Sequence, residues 1–147
     1  MNEILDEGFT VVDNSLRLTT HGGQGHRMVV RGVVTIASES NDDWARCAKI
    51  AVHIPRDGRR IALIGGGMCV LPRIAQVPMD IYELEPALAR FVPPGCTFIP
   101  GDYRDTIQGP YDVLIFDLGE APDILVLRRH CPTGLILGTG HNGAPLE

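Results

Sequence analysis

The stretch IALIGGGMCVLPRIAQVPMDIYELEP, residues 61 to 86, is the part of this chain that most clearly indicates its fold. It opens with a short apolar run, turns through Gly65-Gly66-Gly67 and reaches a second apolar run that closes on Glu83. Glycines directly after a strand let the chain turn tightly and bring backbone N–H groups to the start of a helix. The stretch therefore predicts a βαβ unit that belongs to a parallel sheet.

Five short apolar runs follow one another after Arg60, and together they indicate the sheet. They are IALIG (61–65), DIYEL (80–84), CTFIP (96–100), YDVLIFD (111–117) and GLILG (134–138). Strands that are apolar throughout are typical of a sheet covered on both faces, and the connections between them carry helix or turn signals. We predict an α/β fold, a doubly wound Rossmann-like parallel sheet of strand order 3-2-1-4-5.

The residues before this sheet indicate a small β region. FTVV (9–12), SLRLTT (15–20) and RMVVRGVVTIAS (27–38) are rich in β-branched residues, with turn signals at Asp13-Asn14 and in HGGQG (21–25). Ser40-Asn41-Asp42 can cap a helix over 42–54. One face of that helix would carry Trp44, Cys47, Ile50, Ala51 and Ile54. We predict an N-terminal β-hairpin region over 1–40 and a Rossmann-like domain over 41–147.

Composition and charge exclude several classes of protein. The 147 residues are 44% apolar and 21% charged, as in soluble globular proteins. The net charge is -5 and the arginines are scattered, so we expect no nucleic-acid partner. No apolar run is long enough for a membrane span and the N-terminal MNEILDEG is acidic, so we expect a cytoplasmic protein without a membrane partner. The cysteines (47, 69, 96 and 131) form no CxxC pair, which predicts reduced thiols and no metal site.

Two acids after the predicted strands point to a nucleoside ligand at the glycine turn. Glu83 ends the second strand, where a carboxylate can accept both hydroxyls of a ribose. Asp102, just past the third strand, can accept a hydrogen bond from an adenine amino group. The third glycine of a dinucleotide fingerprint would fall at Val70, so S-adenosylmethionine, which has no phosphates, fits better than NAD. A glycine turn with a purely structural role is the alternative.

In their order, GGGMCVLPRIA, YELEPAL, FIPGDYRD and YDVLIFDLGE resemble the class I S-adenosylmethionine-dependent methyltransferase fold. More narrowly, they resemble its spermidine/spermine synthase (polyamine aminopropyltransferase) branch. The upstream MVVRGVVTIASESNDDW is similar to the β-hairpin of that branch, so the resemblance spans roughly residues 27 to 138. It implies that Gly65 and Gly67 line the methionine-like part of the ligand, with Gly66 between them in the cofactor-binding turn, while Glu83 takes the ribose and Asp102 the adenine.

The resemblance also implies a chemistry. Asp117, at the end of the fourth strand, matches the first acid of the branch's D-x-x-D signature and would deprotonate or orient the attacking amine. Glu120 takes the place of the second acid. The co-substrate would be S-adenosylmethionine or its decarboxylated form, and the acceptor a small molecule, with a polyamine as the candidate. The chain departs from the branch at Met68, where the family has the acid that holds the aminopropyl ammonium.

Several functions stay open at this point. The first is a transferase resembling spermidine synthase that uses S-adenosylmethionine or decarboxylated S-adenosylmethionine. The alternatives are a non-catalytic nucleoside-binding module or regulator, a small-molecule methyltransferase, and an NAD-binding fragment. Because GLILG would lie exposed at the edge of the sheet, we expect a homodimer that covers this edge or the N-terminal hairpin.

Overall fold

The computed structural model describes residues 5–11, 16–21 and 26–138. The chain divides into two compact units between Ala45 and Arg46, inside helix α1 (Asn41–Ala51). One unit holds an antiparallel sheet and the other holds a parallel sheet, as predicted. Within the described ranges, no helix is both long enough and apolar enough to cross a membrane.

The N-terminal unit is a four-stranded antiparallel sheet whose strands are neighbours in chain order. They are β1 (Leu5–Val11), β2 (Leu16–His21), β3 (His26–Arg31) and β4 (Val34–Glu39). The segment 27–38 forms two strands, because the chain reverses at Gly32, whose φ angle of 60° suits glycine. Val33, at the tip of this hairpin, is fully exposed. The predicted turns at Asp13-Asn14 and at 22–25 lie outside the described residues.

Helix α1 begins with reciprocal hydrogen bonds between Ser40 and Asp43. The Ser40 Oγ accepts the Asp43 N–H at 3.2 Å, and Asp43 Oδ2 accepts the Ser40 N–H at 3.0 Å. This capping box satisfies backbone donors that the first turn leaves without partners. The helix ends at Ala51, before the predicted end at residue 54, and Ile54 is buried beyond the helix. Trp44, predicted for the buried face, is 36% exposed.

The C-terminal unit is built on five parallel strands. They are β5 (Ile61–Gly65), β6 (Asp80–Glu83), β7 (Thr97–Pro100), β8 (Val113–Asp117) and β9 (Leu135–Gly138). Their order in the sheet is β7-β6-β5-β8-β9, which confirms the predicted order 3-2-1-4-5. All five residues of the central β5 are buried, which explains why that run is apolar at every position.

Two apolar cores cover the two faces of this sheet. The connections carry α2 (Val70–Ala75), a 3₁₀ helix (Pro86–Phe91), α3 (Tyr103–Thr106) and α4 (Ile124–His130). Alternate residues of β5 point to opposite faces, so Leu63 packs with Leu71 of α2, while Ile64 packs with Tyr103 and Leu127 of α3 and α4. The sheet is therefore doubly wound, as predicted.

A hydrogen-bond network ties the start of β6 to the segment that leads into β8. The buried Tyr111 donates its hydroxyl hydrogen to Asp80 Oδ2 at 2.7 Å, and its oxygen also contacts the Tyr82 hydroxyl. The Arg60 guanidinium lies 4.6 Å from the centre of the Tyr111 ring and 3.7 Å from Asp80. Burial is the main cause that raises the pKa of Tyr111 above its usual range, so the phenol stays protonated. This network holds the edge of the sheet that is opposite to the carboxyl ends of the strands.

The cysteines and the sheet edge bear on two further expectations. All four cysteines are free thiols, three of them buried, and Cys96 is half-buried. Among residues 5–11, 16–21 and 26–138, no group of three or more His, Cys, Asp or Glu side chains is arranged to hold a metal ion.

In the edge strand β9, Leu135 is 36% exposed, whereas Ile136 and Leu137 are buried. The exposed apolar edge is thus smaller than expected, and the homodimer stays a prediction.

Candidate functional site

The candidate site lies at the carboxyl edge of the parallel sheet, where the chain changes direction. From β5 the chain runs outward through β6 to β7, then crosses to β8 and β9 on the other side of β5. Ligands of doubly wound sheets bind at this kind of switch point. Gly65 lies opposite Asp117 in the register of β5 and β8, and Glu83 ends the adjoining β6. The fold therefore brings these three positions to one edge of the sheet.

The glycine turn has a backbone conformation that favours glycine at all three positions. The φ angles are 87° at Gly65, 100° at Gly66 and 52° at Gly67. A Cβ atom at Gly65 would lie 2.3 Å from the backbone oxygen of Asp117, and one at Gly66 would lie 2.7 Å from Leu63 Cδ2. Gly65 thus has a structural reason to be glycine, because its close neighbour is backbone, whereas a larger residue at Gly66 would require the Leu63 side chain to shift. A role of the turn in ligand binding stays a prediction.

Met68 and Cys69, which follow the glycines, pack into the protein and are each 1% exposed. The Cys69 N–H donates to the Gly66 carbonyl at 2.8 Å, which closes the turn before α2 begins at Val70. Burial raises the pKa of the Cys69 thiol to about 12, so the thiol is neutral near pH 7 and is not an activated nucleophile. Met68 offers no charge, so neither side chain can hold an ammonium group.

Glu83 is a half-buried carboxylate at the end of β6. Its pKa is raised, chiefly by burial, although the backbone N–H groups of Glu85 and Leu84 lower it. The negative charges of Glu85 and Asp117 raise it further. The Glu85 N–H lies 3.3 Å from Glu83 Oε2. A carboxylate desolvated in this way, with acids near it, gains stability when hydrogen-bond donors approach it.

Asp102 is the N-cap of α3, and its carboxylate accepts hydrogen bonds from Arg104. Its Oδ1 accepts the Arg104 backbone N–H at 2.9 Å and the Arg104 Nε–H at 3.0 Å, and its Oδ2 accepts from Nη2 at 3.0 Å. These bonds, first of all those from the side chain, lower the pKa of Asp102 below its usual range. Both oxygens already have donors, so an adenine amino group would have to share them or displace the guanidinium.

The two acids of the predicted D-x-x-D signature lie in different surroundings. Asp117 is half-buried at the end of β8, beside the glycine turn, and its negative charge contributes to the raised pKa of Glu83. Glu120 lies in the exposed loop after β8, where its Oε2 is 3.6 Å from Arg104 Nη2. The structure therefore groups Asp117 with Glu83 and the glycine turn, and groups Glu120 with Asp102 through Arg104.

Two residues of this edge were missed by the sequence analysis. Arg104 bridges Asp102 and Glu120, but its only sequence signal is its place two residues after an aspartate that can cap a helix. Leu84 follows Glu83 and is 69% exposed, a large apolar side chain at the same edge of the sheet. A leucine at the end of an apolar run is predicted to be buried, so nothing in the pattern distinguishes it.

Solved methyltransferase structures are similar to this chain. Mitomycin 7-O-methyltransferase superposes with a TM-score of 0.51 at 20% identity, over 67% of this chain and 36% of that one. Precorrin-6y C5,15-methyltransferase of Geobacter metallireducens superposes with a TM-score of 0.50 at 15% identity, over 67% of this chain and 62% of that one. This chain thus spans less than two thirds of either structure.

The sequence matches no protein-family model and no curated protein. At these identities the similarity establishes the fold and not the activity. The narrower resemblance to the polyamine aminopropyltransferase branch stays a prediction. The chain has the Rossmann-like fold of the class I S-adenosylmethionine-dependent methyltransferases.

Proposed function

We propose that this chain binds S-adenosylmethionine and acts in methyl transfer to a small-molecule acceptor. The proposal combines the fold with the carboxyl-edge residues, since the same fold occurs in the mitomycin and precorrin methyltransferases. It makes the small-molecule methyltransferase, one of the alternatives drawn from the sequence, the preferred function, ahead of a spermidine synthase.

The observation that carries the proposal is the environment of Glu83. This carboxylate ends the strand next to the glycine turn, is half-buried, and has neighbours whose charges disfavour its ionised form. The two hydroxyls of a ribose are neutral donors that can hydrogen-bond both oxygens without adding charge. Such donors would stabilise the ionised form and offset its desolvation. The residue therefore fits the sugar of an adenosyl ligand.

The remaining contacts to the co-substrate would come from the flanking positions. Leu84 presents an exposed apolar side chain beside Glu83, suited to the face of a purine ring. Asp102 would accept the adenine amino group through lone pairs that Arg104 leaves available. The turn of Gly65, Gly66 and Gly67 would approach the methionine part of the ligand with backbone alone. The residues present thus fit the nucleoside half best.

In the proposed reaction, a lone pair on an oxygen or nitrogen of the acceptor attacks the methyl carbon of the sulfonium. The carbon–sulfur bond breaks, its electron pair stays on sulfur, and S-adenosylhomocysteine is formed. The acceptor loses one proton, which we assign to Asp117 because this carboxylate lies beside the glycine turn at the end of β8. Glu120 lies in the exposed loop after β8, where it pairs with Arg104.

Aminopropyl transfer is less well supported than methyl transfer. The ammonium group of an aminopropyl donor requires an anionic partner, and the position that has an acid in the resembled branch carries the buried Met68 here. In S-adenosylmethionine a carboxylate accompanies the same ammonium, whereas the decarboxylated form has no such anion, so desolvating its ammonium without a protein partner is more unfavourable. Decarboxylated S-adenosylmethionine is therefore the weaker co-substrate candidate.

The proposal is tested by calorimetric titration with S-adenosylmethionine, S-adenosylhomocysteine, decarboxylated S-adenosylmethionine and NAD. We expect the first two to bind, and the other two to bind at least tenfold more weakly, about 1.4 kcal/mol or more. Glu83→Gln keeps the shape of the side chain but removes the charge. Loss of a hydrogen bond to a charged acceptor costs about 1.5–3 kcal/mol, so affinity should fall roughly ten- to hundredfold.

Asp57→Asn is the matched control for this substitution. Asp57 is an exposed carboxylate that forms an ion pair with Arg59. Both residues lie in the segment before β5, at the opposite edge of the sheet from Glu83. The control should bind S-adenosylhomocysteine as the unmodified protein does. Equal affinities of Glu83→Gln and Asp57→Asn would contradict the assignment of Glu83 to the ribose. Preferred binding of NAD would contradict the proposed co-substrate.

A further inference from the structure

We propose that Arg104 selects the acceptor of the reaction and favours one that carries a carboxylate over a polyamine. This inference rests on the proposed function, because it concerns the acceptor side of the same site. It starts from two ion pairs that one guanidinium makes with acids from different parts of the chain.

The first pair is a fork between Arg104 and Asp102. Nε and Nη2 each lie 3.0 Å from a different oxygen of that carboxylate, and the guanidinium carbon lies 5.3 Å from the centre of the Tyr103 ring. A bidentate geometry of this kind fixes the plane of the guanidinium as well as its distance. Arg104 is therefore oriented, although its side chain is 41% exposed.

The second pair joins parts of the chain that the sheet separates. Asp102 follows β7 and Glu120 follows β8, and these strands are three strand spacings apart, about 14 Å. Arg104 Nη2 nevertheless lies 3.6 Å from Glu120 Oε2. A neighbouring contact supports this approach, because the Asp123 N–H donates to the Tyr103 hydroxyl at 3.0 Å. Two adjacent residues of α3 thus hold the loop after β8.

The charge at this part of the edge follows from these contacts. Without Arg104, Asp102 and Glu120 would present two negative charges, which attract the ammonium groups of a polyamine. With Arg104 between them, both acids have a cationic partner, and the net charge of the three groups is one negative unit rather than two. An incoming ammonium would meet a guanidinium at short range, which is repulsive. The arrangement therefore attracts a polyamine less strongly than the two acids alone would.

A carboxylate on the acceptor suits the same guanidinium. Arginine has five N–H donors in a planar fork, and the contacts with the two acids involve Nε and Nη2. A carboxylate can approach the remaining donors or replace Glu120, whose pair with Arg104 is exposed and longer than the fork. We accordingly assign Arg104 a binding role toward an anionic acceptor, with Asp117 left as the base.

The test compares benzoate and putrescine as probes of the acceptor side. Each is titrated by calorimetry into the full chain, with and without saturating S-adenosylhomocysteine, for the unmodified protein and for Arg104→Gln, Arg104→Lys and Arg90→Gln. Arg90 is an exposed arginine at the end of the 3₁₀ helix and serves as the matched control. Thermal unfolding shows whether each variant is folded.

We expect the unmodified protein and Arg90→Gln to bind benzoate more tightly than putrescine. In Arg104→Gln the ratio of the two affinities should fall about tenfold or more, and Arg104→Lys should restore part of it, because lysine keeps the charge but not the fork. A merely structural role for Arg104 would weaken both probes alike and leave their ratio unchanged. That result, or tighter binding of putrescine or no binding of benzoate by the unmodified protein, would overturn the inference.

The outcomes also separate this inference from the proposed function. If S-adenosylhomocysteine does not bind but the benzoate preference depends on Arg104, the proposed co-substrate is wrong and the role of Arg104 stands. If S-adenosylhomocysteine binds and Arg104→Gln leaves the ratio unchanged, only the role of Arg104 is wrong.

Discussion

Replacement of Gly65 by alanine tests the close approach of β5 and β8, which brings Asp117 to the glycine turn. The added Cβ would lie 2.3 Å from the backbone oxygen of Asp117 and 2.7 Å from a methyl carbon of Leu118. Because that oxygen belongs to the sheet, relief requires the two strands to move apart. Overpacking costs about 1–3 kcal/mol, and a side chain in the left-handed region adds about 1–2 kcal/mol.

The structure provides a control with nearly the same φ angle. Gly58 has a φ angle of 84°, against 87° at Gly65, but a Cβ there would have nothing within 4 Å. Gly58→Ala should therefore lose only the conformational part, about 1–2 kcal/mol. Gly65→Ala should lose roughly 2–5 kcal/mol in total. The difference between the two variants measures the contact with β8.

Urea unfolding followed by far-ultraviolet circular dichroism provides the comparison, with the slope m used to check that both variants expose the same surface. We also expect folded Gly65→Ala to bind S-adenosylhomocysteine more weakly than Gly58→Ala, since the clash displaces the glycine turn that is proposed to approach the methionine part of the ligand. Equal losses of stability in the two variants would refute the packing of Gly65 against β8.

Three further predictions concern the carboxyl edge and the tyrosine network. Burial raises the pKa of Glu83, so the stability that its protonated form contributes is lost as pH rises through that pKa. Glu83→Gln should therefore be more stable than the unmodified protein at pH 7. In denaturant titrations the difference should vanish below about pH 4, where Glu83 is protonated. Asp117→Asn should lower turnover of an identified acceptor roughly 10²–10⁴-fold, while calorimetry shows little change in co-substrate affinity. Unchanged turnover would exclude Asp117 as the base. Tyr111→Phe removes the donor to Asp80 and the partner of Tyr82, and should cost about 1–3 kcal/mol in urea unfolding; a neutral result would contradict the network.

Much of the fold could be predicted because its signals are local. A parallel strand that is buried on both faces is apolar at every position, and the five such runs were found close to the observed β5, β6, β7, β8 and β9. The end of α1 was placed three residues too late, since Ile54 continues the apolar spacing but is buried beyond the helix. Apolar periodicity indicates burial and does not by itself indicate where backbone hydrogen bonding stops.

The candidate site could be predicted only where its residues end strands. Glu83 and Asp117 follow apolar runs directly, so their place at the carboxyl edge follows from the order of the strands. The partners of Asp102 and Glu120 could not be predicted in the same way. Each depends on the direction of one long side chain, Arg104, and on how far two loops bend toward each other.

Burial pattern and chain direction are properties of short segments, so the residues alone predict the doubly wound sheet, its strand order, and the acids and glycines at its carboxyl edge. Which of those groups touch is set by tertiary packing. It set Gly65 against the backbone of Asp117, 52 positions away, and it joined Asp102 to Glu120 through one guanidinium. Contacts across the edge depend on how closely segments far apart in the chain approach one another, and no local pattern of residues contains that information.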